Sequence, residues 1–145
     1  MASVLEELLE KTPVLTDGAW GTQLQALGLP VGEAPDLWNL SHPERVEKVA
    51  RSYVEAGSRV ILTNTLGSNR VALTRHDLDG RTAEINREGA RISRRAAGDA
   101  VKVFASVGST SKMLMMGEIS PEEVHDVYVE QTAATPRIRP ASATV

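Results

Sequence analysis

Apolar residues recur at helical spacing in Val4, Leu5, Leu8 and Leu9, and the chain then turns through Lys11-Thr12-Pro13 into Val14-Leu15-Thr16, an apolar run ending in Asp17-Gly18. This pattern predicts a short helix followed by a buried strand. One or two helical turns are expected over 22–27 before Gly28, and residues 30–35, bounded by prolines, read as a loop. Ser41-His42-Pro43-Glu44 has the spacing of a capping box with proline in the first turn; the helix it opens carries Val46, Val49, Ala50 and Tyr53 and stops at Gly57. Val60-Ile61-Leu62 is apolar without alternation, as suits a parallel strand covered on both faces, and Thr63-Asn64-Thr65 ends it. Helical pattern resumes over 69–76 and 81–97, with Gly98 as a stop, and a further strand is predicted from Val101 to Val107, running into Gly108. A second capping box, Ser120-Pro121-Glu122-Glu123, opens a helix through Val124, Val127 and Tyr128.

Strands therefore alternate with crossovers long enough to return the chain to the same end of a parallel sheet, which makes the fold class α/β. Part of an eight-stranded barrel and the start of a doubly wound sheet both fit, and periodicity does not separate them. In either architecture chemistry belongs at the carboxyl ends of the strands: Asp17-Gly18, Thr63-Asn64-Thr65 and Ser106-Val107-Gly108. From Thr135 onward two prolines, small residues and arginine replace the apolar periodicity, which predicts a folded module over 1–134 and a disordered tail over 135–145.

Composition narrows the function classes. The 145 residues are 41% hydrophobic but only 3% aromatic, so the core must be largely aliphatic. A net charge of -3 without a basic block argues against nucleic-acid binding and against a polybasic membrane anchor. No stretch approaches the ~20 apolar residues of a membrane span, and the acidic N-terminus is unlike a signal peptide, so the cytoplasm is the expected compartment. The chain has 0 cysteines, which excludes disulfides and thiolate metal ligands within it. His42, His76 and His125 fall in or beside helical pattern, and Glu122, Glu123 and Asp126 read as a solvated helix face, so no metal site is expected in this chain. Trp38 reads as a core or loop-anchoring aromatic, Met113, Met115 and Met116 as packing or loop, and Arg91, Arg94 and Arg95 as a solvated face.

Alone, Asp17-Gly18 reads as an ordinary strand-to-helix turn, in which glycine supplies conformational freedom and aspartate caps the next helix. The neighbours change that weighting. Asp17-Gly18-Ala19-Trp20-Gly21-Thr22-Gln23-Leu24, Asp36-Leu37-Trp38-Asn39-Leu40, Tyr53-Val54-Glu55-Ala56-Gly57 and Ile61 through Arg70 resemble, in order, the homocysteine S-methyltransferase family. Val103 through Thr110 and Gly117-Glu118-Ile119-Ser120 extend the resemblance over roughly the first 130 residues. Trp20, Leu66, Ser109 and Ser111 depart from the commoner family residues: a smaller or Met-like side chain, Phe, Pro and Gly respectively.

The resemblance implies a (β/α)8 TIM barrel, which needs ~250 residues, so this chain holds about the first three βα units. It implies methyl transfer to the homocysteine thiol to give methionine, with homocysteine and a methyl donor as partners. Zinc bound by three cysteines from later strands is implied for the full-length family, and no cofactor is expected here. Carried over, Asp17 and Gly18 hold the amino-acid end of homocysteine, Thr63, Asn64 and Thr65 line the pocket floor, and Ser106 and Gly108 form the edge of the next strand. No catalytic residue is assigned.

Two readings follow. One is a homocysteine S-methyltransferase truncated and inactive alone; the other is a non-catalytic half-barrel fragment or interaction module whose segment from about Thr135 arose by a frameshift, an early stop or a gene-prediction error. An open sheet edge predicts self-association. An aldolase-type or sugar-phosphate barrel ranks below both, because Lys102 stands at a strand start and Lys112 in a loop.

Overall fold

A computed structural model describes residues 3–136 of the chain. The tail expected over 135–145 lies outside the described residues from 137 onward.

The first helix, α1 (Val4–Leu9), is fixed by a reciprocal capping box absent from the sequence expectations: the Ser3 hydroxyl accepts from the Glu6 N–H while the Glu6 carboxylate accepts from the Ser3 N–H. Only Leu8 of this helix is buried. The strand expected over 14–16 is reduced to one parallel bridge, Thr16 to Val60, with the Arg59 N–H donating to Leu15 O at 2.7 Å and the Asp17 N–H to Val60 O at 3.0 Å. It is not buried as expected, since Leu15 is 55% exposed.

Strand β1 (Val60–Leu62) lies next to that bridge and pairs in parallel with β2 (Lys102–Phe104), Ile61 opposite Val103. The second of these is shorter than the expected 101–107. The reason is visible at its end, where the Thr63 and Thr65 side chains take over the backbone groups of Ser106 that a longer ladder would use.

Helix α2 (Trp20–Ala26) begins two residues before its expected start, and a 3-10 turn at Pro35–Leu37 leads into α3 (Trp38–Ser41) and α4 (Pro43–Glu55). The expected capping box at 41–44 does not form. Ser41 closes the preceding helix, its hydroxyl donating to Leu37 O at 3.3 Å, and His42 takes the cap position, its ring bonded to the Ser41 hydroxyl rather than to an N–H of α4. Proline at the first turn starts α4 regardless, because its missing N–H is one the helix leaves unpaired. Gly57, at φ +96°, ends the passage as predicted.

Asn69 caps α5 (Arg70–Leu73), which tightens into a 3-10 turn at Thr74–His76. Helix α6 (Thr82–Ala97) stops at Gly98, and α7 (Pro121–Ala134) opens on Ser120, whose hydroxyl accepts from the Glu123 N–H. Helices α4 and α6 pack on the strands. Ile61, with no exposed surface, shares a cluster with Ala50 of α4, Ala96 and Ala97 of α6, and Val101, and the small alanines let the helices approach closely. A second cluster joins Leu24, Leu29, Trp38, Val46, Val49 and Ile92, and Trp20 and Tyr53 pack against both.

Helix α1 lies beside an apolar cavity next to the strands. Leu5, Leu8, Leu9, Val14, Val60, Leu62 and Phe104 surround this cavity of about 450 Å³. It opens outward, with Leu5 at 62%, Leu9 at 64% and Phe104 at 38% exposed. Among the described residues no helix is long and apolar enough to cross a membrane.

Candidate functional site

Asp17 follows the Thr16 bridge directly, which sets its carboxylate beside the end of β1. Its Oδ2 accepts from the Leu62 N–H and from the Trp20 indole N–H, each at 2.8 Å. One carboxylate oxygen thus fixes both the neighbouring strand and the first turn of α2. Gly18 lies under the Tyr53 ring: a Cβ there would sit 3.2 Å from Tyr53 Oη, which donates to Ala19 O at 2.7 Å. Burial and the nearby Asp17 charge together push the Tyr53 hydroxyl above its ordinary pKa.

Thr63 and Thr65 are 2% and 1% exposed. The Ser106 N–H donates to Thr63 Oγ1 at 2.9 Å, Thr65 Oγ1 donates to Ser106 O at 2.8 Å, and the two hydroxyls lie 2.5 Å apart. Each hydroxyl carries one proton; Thr65 gives its proton to Ser106, so Thr63 must donate to Thr65. This chain of bonds ties the carboxyl ends of β1 and β2 together.

Asn64 engages other partners. Its Nδ2 donates to Pro35 O at 2.9 Å and to Asn39 Oδ1 at 3.0 Å, while Asn39 Nδ2 returns a bond to Asn64 O at 2.8 Å. Gly108 permits a close backbone crossing, because a Cβ there would lie 2.4 Å from Leu66 O. Hydrogen bonds thus join Thr63, Thr65 and Ser106, with Asp17 fixed to the residue just before Thr63. Asp17 and Gly18 face the apolar cavity, whereas Asn64 lines a different cleft.

Several residues of this region were given no role in the sequence reading. Asp36, 7% exposed, accepts through Oδ1 from the Gly67 N–H at 3.1 Å and the Ser68 hydroxyl at 2.6 Å. Burial pushes its carboxyl above the ordinary aspartate range, with the Ser68 and Gly67 bonds and His76 opposing that shift. Gln131 of α7, with no exposed surface, donates to Thr65 O at 2.8 Å, and among the described residues its Oε1 is buried without a partner. Gly89 lets α6 press against the same loop, since a Cβ there would fall 2.7 Å from both Asn39 Nδ2 and Thr65 Cγ2. In sequence Asp36 stood only at the head of the Asp36-Leu37-Trp38-Asn39-Leu40 motif and Gly89 only as a glycine inside a helix, and neither names its partner.

Metal chemistry has little to draw on. His42 stacks on Trp38 with ring centroids 4.6 Å apart, while His76 and His125 are exposed on separate elements. Among the described residues no group of three His, Cys, Asp or Glu side chains is placed to hold a metal ion.

Comparison with known proteins supplies the wider frame. The profile of the homocysteine S-methyltransferase family matches residues 14–141. The chain is 30% identical over 138 residues to the methionine synthase of Mycobacterium tuberculosis, covering 87% of this chain and 12% of that protein. The Mycobacterium leprae methionine synthase matches at the same 30% identity, with 11% of its length covered. In fold the chain resembles the metallated form of the homocysteine methyltransferase MmuM from Escherichia coli, with a TM-score of 0.73 at 22% identity over 90% of this chain. The oxidized form of the same enzyme gives a TM-score of 0.71 at 20% identity. This chain spans 52% of the solved enzyme and a much smaller share of the methionine synthases. The extent of the profile match decides the assignment: the chain belongs to the homocysteine S-methyltransferase family.

Proposed function

We propose that residues 1–134 form the first three βα units of a (β/α)8 homocysteine S-methyltransferase barrel, and that this portion recognises the amino-acid end of homocysteine in the cytoplasm. The observation that carries the reading is the clamping of Asp17 to β1. With Oδ2 held by Leu62 and Trp20, Oδ1 accepts no hydrogen bond among the described residues and is left for a ligand, and a fixed carboxylate binds a substrate ammonium by a charge-assisted hydrogen bond with a smaller entropy cost of ordering the side chain. Gly18 beside it has no side chain of its own to crowd the Tyr53 ring. Thr63, Thr65 and Ser106 hold the neighbouring strand ends in register, Asn64 anchors the loop after β1, and Gly108 brings the segment after β2 against Leu66.

Methyl transfer to homocysteine demands a thiolate, because an unperturbed thiol with pKa near ~8.5 is mostly protonated at neutral pH. Zinc held by cysteines supplies that thiolate in the family. The residues present here do not fit such a centre, since the chain has 0 cysteines and its histidines lie on separate elements. The chain by itself recognises substrate without activating it, and the methyl donor acts only in the whole enzyme.

Calorimetric titration with homocysteine tests this. Binding is expected with wild type and a loss of about 10-fold or more with Asp17→Asn, the scale of one charge-assisted bond. Equal binding by both proteins, or methionine formation by the chain alone, refutes it.

The exposed apolar cavity favours a second reading, an interaction module that self-associates through its open strand edge. Leu5, Leu9 and Phe104 leave the kind of patch that soluble monomers rarely expose. Sedimentation velocity is expected to show concentration-dependent oligomers that Phe104→Glu disperses; a monomer at all concentrations refutes it.

A further inference from the structure

The two edges of the sheet differ. At the edge beside β1, the segment ending in Thr16 makes one bridge and follows Pro13, which has no N–H to offer. At the edge formed by β2 the backbone is regular. The Lys102 N–H donates to Arg59 O at 3.0 Å and the Thr63 N–H to Phe104 O at 3.1 Å, so the even-numbered residues of β2 point toward β1. The N–H and C=O groups of Val103 and Ala105 therefore point the other way, and no hydrogen bond from another described residue reaches them.

Exposed edges are ordinarily guarded by charge, proline or a bulge. Val103-Phe104-Ala105-Ser106-Val107 carries no charge and no proline, and the neighbouring Lys102 is engaged by Glu7 of α1 at 2.6 Å. The space beside this edge is open: Ala105 is exposed, and a groove of about 310 Å³ lies between Phe104 and Ala105 on one side and Thr132 and Pro136 at the end of α7 on the other. Phe104, 38% exposed, also borders the apolar cavity beside α1.

We propose that two copies of this chain pair through β2, antiparallel, about a two-fold axis at Phe104. The proposal rests on the self-association reading and adds to it the edge, the direction and the register. Parallel pairing of two identical edges is staggered by one residue and cannot be two-fold symmetric, whereas antiparallel pairing is self-complementary. Val103 exchanges two hydrogen bonds with the partner's Ala105, and Ala105 exchanges two with the partner's Val103. Phe104 then stands directly opposite the partner's Phe104, an aromatic pair of the kind that stabilises a sheet. Centring the pairing on Val103 instead would require Val101, 8% exposed, to reach the partner's Ala105. The axis runs perpendicular to the sheet, so the two cavities beside α1 come to lie on one side of a four-stranded sheet with both Phe104 rings between them.

The chain has 0 cysteines, so introduced ones report which residues face each other. Under mild oxidation at submillimolar chain, Phe104→Cys is expected to form a covalent dimer with itself, and Lys102→Cys to link to Ser106→Cys in a mixture but not to itself. Ala105→Pro removes an outward N–H, and the bonds to β1 are made by its even-numbered neighbours; an edge strand tolerates proline at such a position. It should weaken dimerisation in sedimentation velocity by about 10-fold or more, the scale of two symmetry-related hydrogen bonds. The cysteine pattern decides alone should the proline variant unfold. A monomer at every concentration overturns the proposal together with the self-association reading. Oligomers in which Lys102→Cys links to itself, or in which folded Ala105→Pro associates as wild type does, overturn the pairing and leave self-association standing.

Discussion

Replacing Gly89 by alanine tests how tightly α6 is seated against the loop that follows β1. In an exposed helix the substitution would stabilise by up to ~1 kcal/mol, since alanine is the better helix former. Here the added Cβ would stand 2.7 Å from Asn39 Nδ2 and from Thr65 Cγ2. Ordinary non-bonded contacts lie near ~3.5–4 Å, so two neighbours must each retreat by about 1 Å. Overpacking of this kind costs about 1–3 kcal/mol. Retreat of Asn39 also strains its bonds to Asn64 O at 2.8 Å and Ile85 O at 3.3 Å, and a buried carbonyl left unpaired costs about 1–3 kcal/mol more. After the propensity gain, a net loss of about 2–4 kcal/mol is expected. Gly21→Ala is the control, because Gly21 lies in α2 with nothing within 4 Å of an added Cβ, and it should stabilise by about 0.5–1 kcal/mol. Urea unfolding followed by far-UV circular dichroism reads both. The Gly89 variant should lower the midpoint by about 1–2 M at unchanged slope, and the Gly21 variant should raise it. A Gly89→Ala midpoint at or above wild type would refute the close packing of α6 on Asn39 and Thr65.

Asp36→Asn should change the pH dependence of stability. Because the folded carboxyl is raised above its ordinary value, the folded state binds the proton more tightly than the unfolded chain, and stability falls as pH rises from the ordinary aspartate range, ~3.9, through the raised value. The amide lacks that component, so the variant-minus-wild-type stability difference should increase from acid to neutral pH in thermal melts; a constant or decreasing difference refutes the assignment. Trp20→Phe keeps most of the aromatic packing but removes the N–H that reaches Asp17, and should cost about 1–3 kcal/mol in urea unfolding. A Trp20→Phe loss near zero, with the whole loss appearing only in Trp20→Ala, would show that the hydrogen bond contributes nothing. Gln131→Leu removes the donor to Thr65 O together with an unpartnered oxygen, so its two effects oppose each other and a loss of under about 2 kcal/mol is expected; a larger loss means Oε1 has a partner.

The helices were legible because their signals are local. Spacing of Val46, Val49 and Ala50 places one face of α4 in the core, and glycine at positive φ ends it; both depend only on residues within a few positions of one another. Cap chemistry was less readable, because serine followed by glutamate at the right spacing serves equally to close one helix or open another. At 41–44 the hydroxyl went back to Leu37, while the box that does form, Ser3 with Glu6, precedes a helix with a single buried residue. Strand lengths were overestimated for a tertiary reason. Val14-Leu15-Thr16 has strand composition, but a strand exists only where a partner completes its ladder, and here the described residues offer one on a single side. Among the candidate residues, Asp17 and Thr63 could be singled out by their place at strand ends. Asp36 and Gln131 could not, because what distinguishes them is contact with residues about thirty and sixty-six positions away.

The departure at Trp20 bears on how the proposed recognition would work. A Met-like or smaller side chain at this position has no N–H to give, so Asp17 Oδ2 would then be held by the Leu62 amide alone. In this chain the indole adds a second donor to the same oxygen at 2.8 Å, and its ring packs against both core clusters. Restricting Asp17 in this way lowers the ordering cost of binding an ammonium but draws some of the carboxylate charge toward the protein, so the gain in pre-organisation is offset by a weaker remaining acceptor. The same ring forms a wall of the cleft that Asn64 and Asp36 line. A substitution that shifts the indole therefore alters the hydrogen bond to Asp17, and the strand-end carboxylate and the cleft are joined through one side chain; a double-mutant cycle between positions 17 and 36 measures that coupling, with additive effects counting against it.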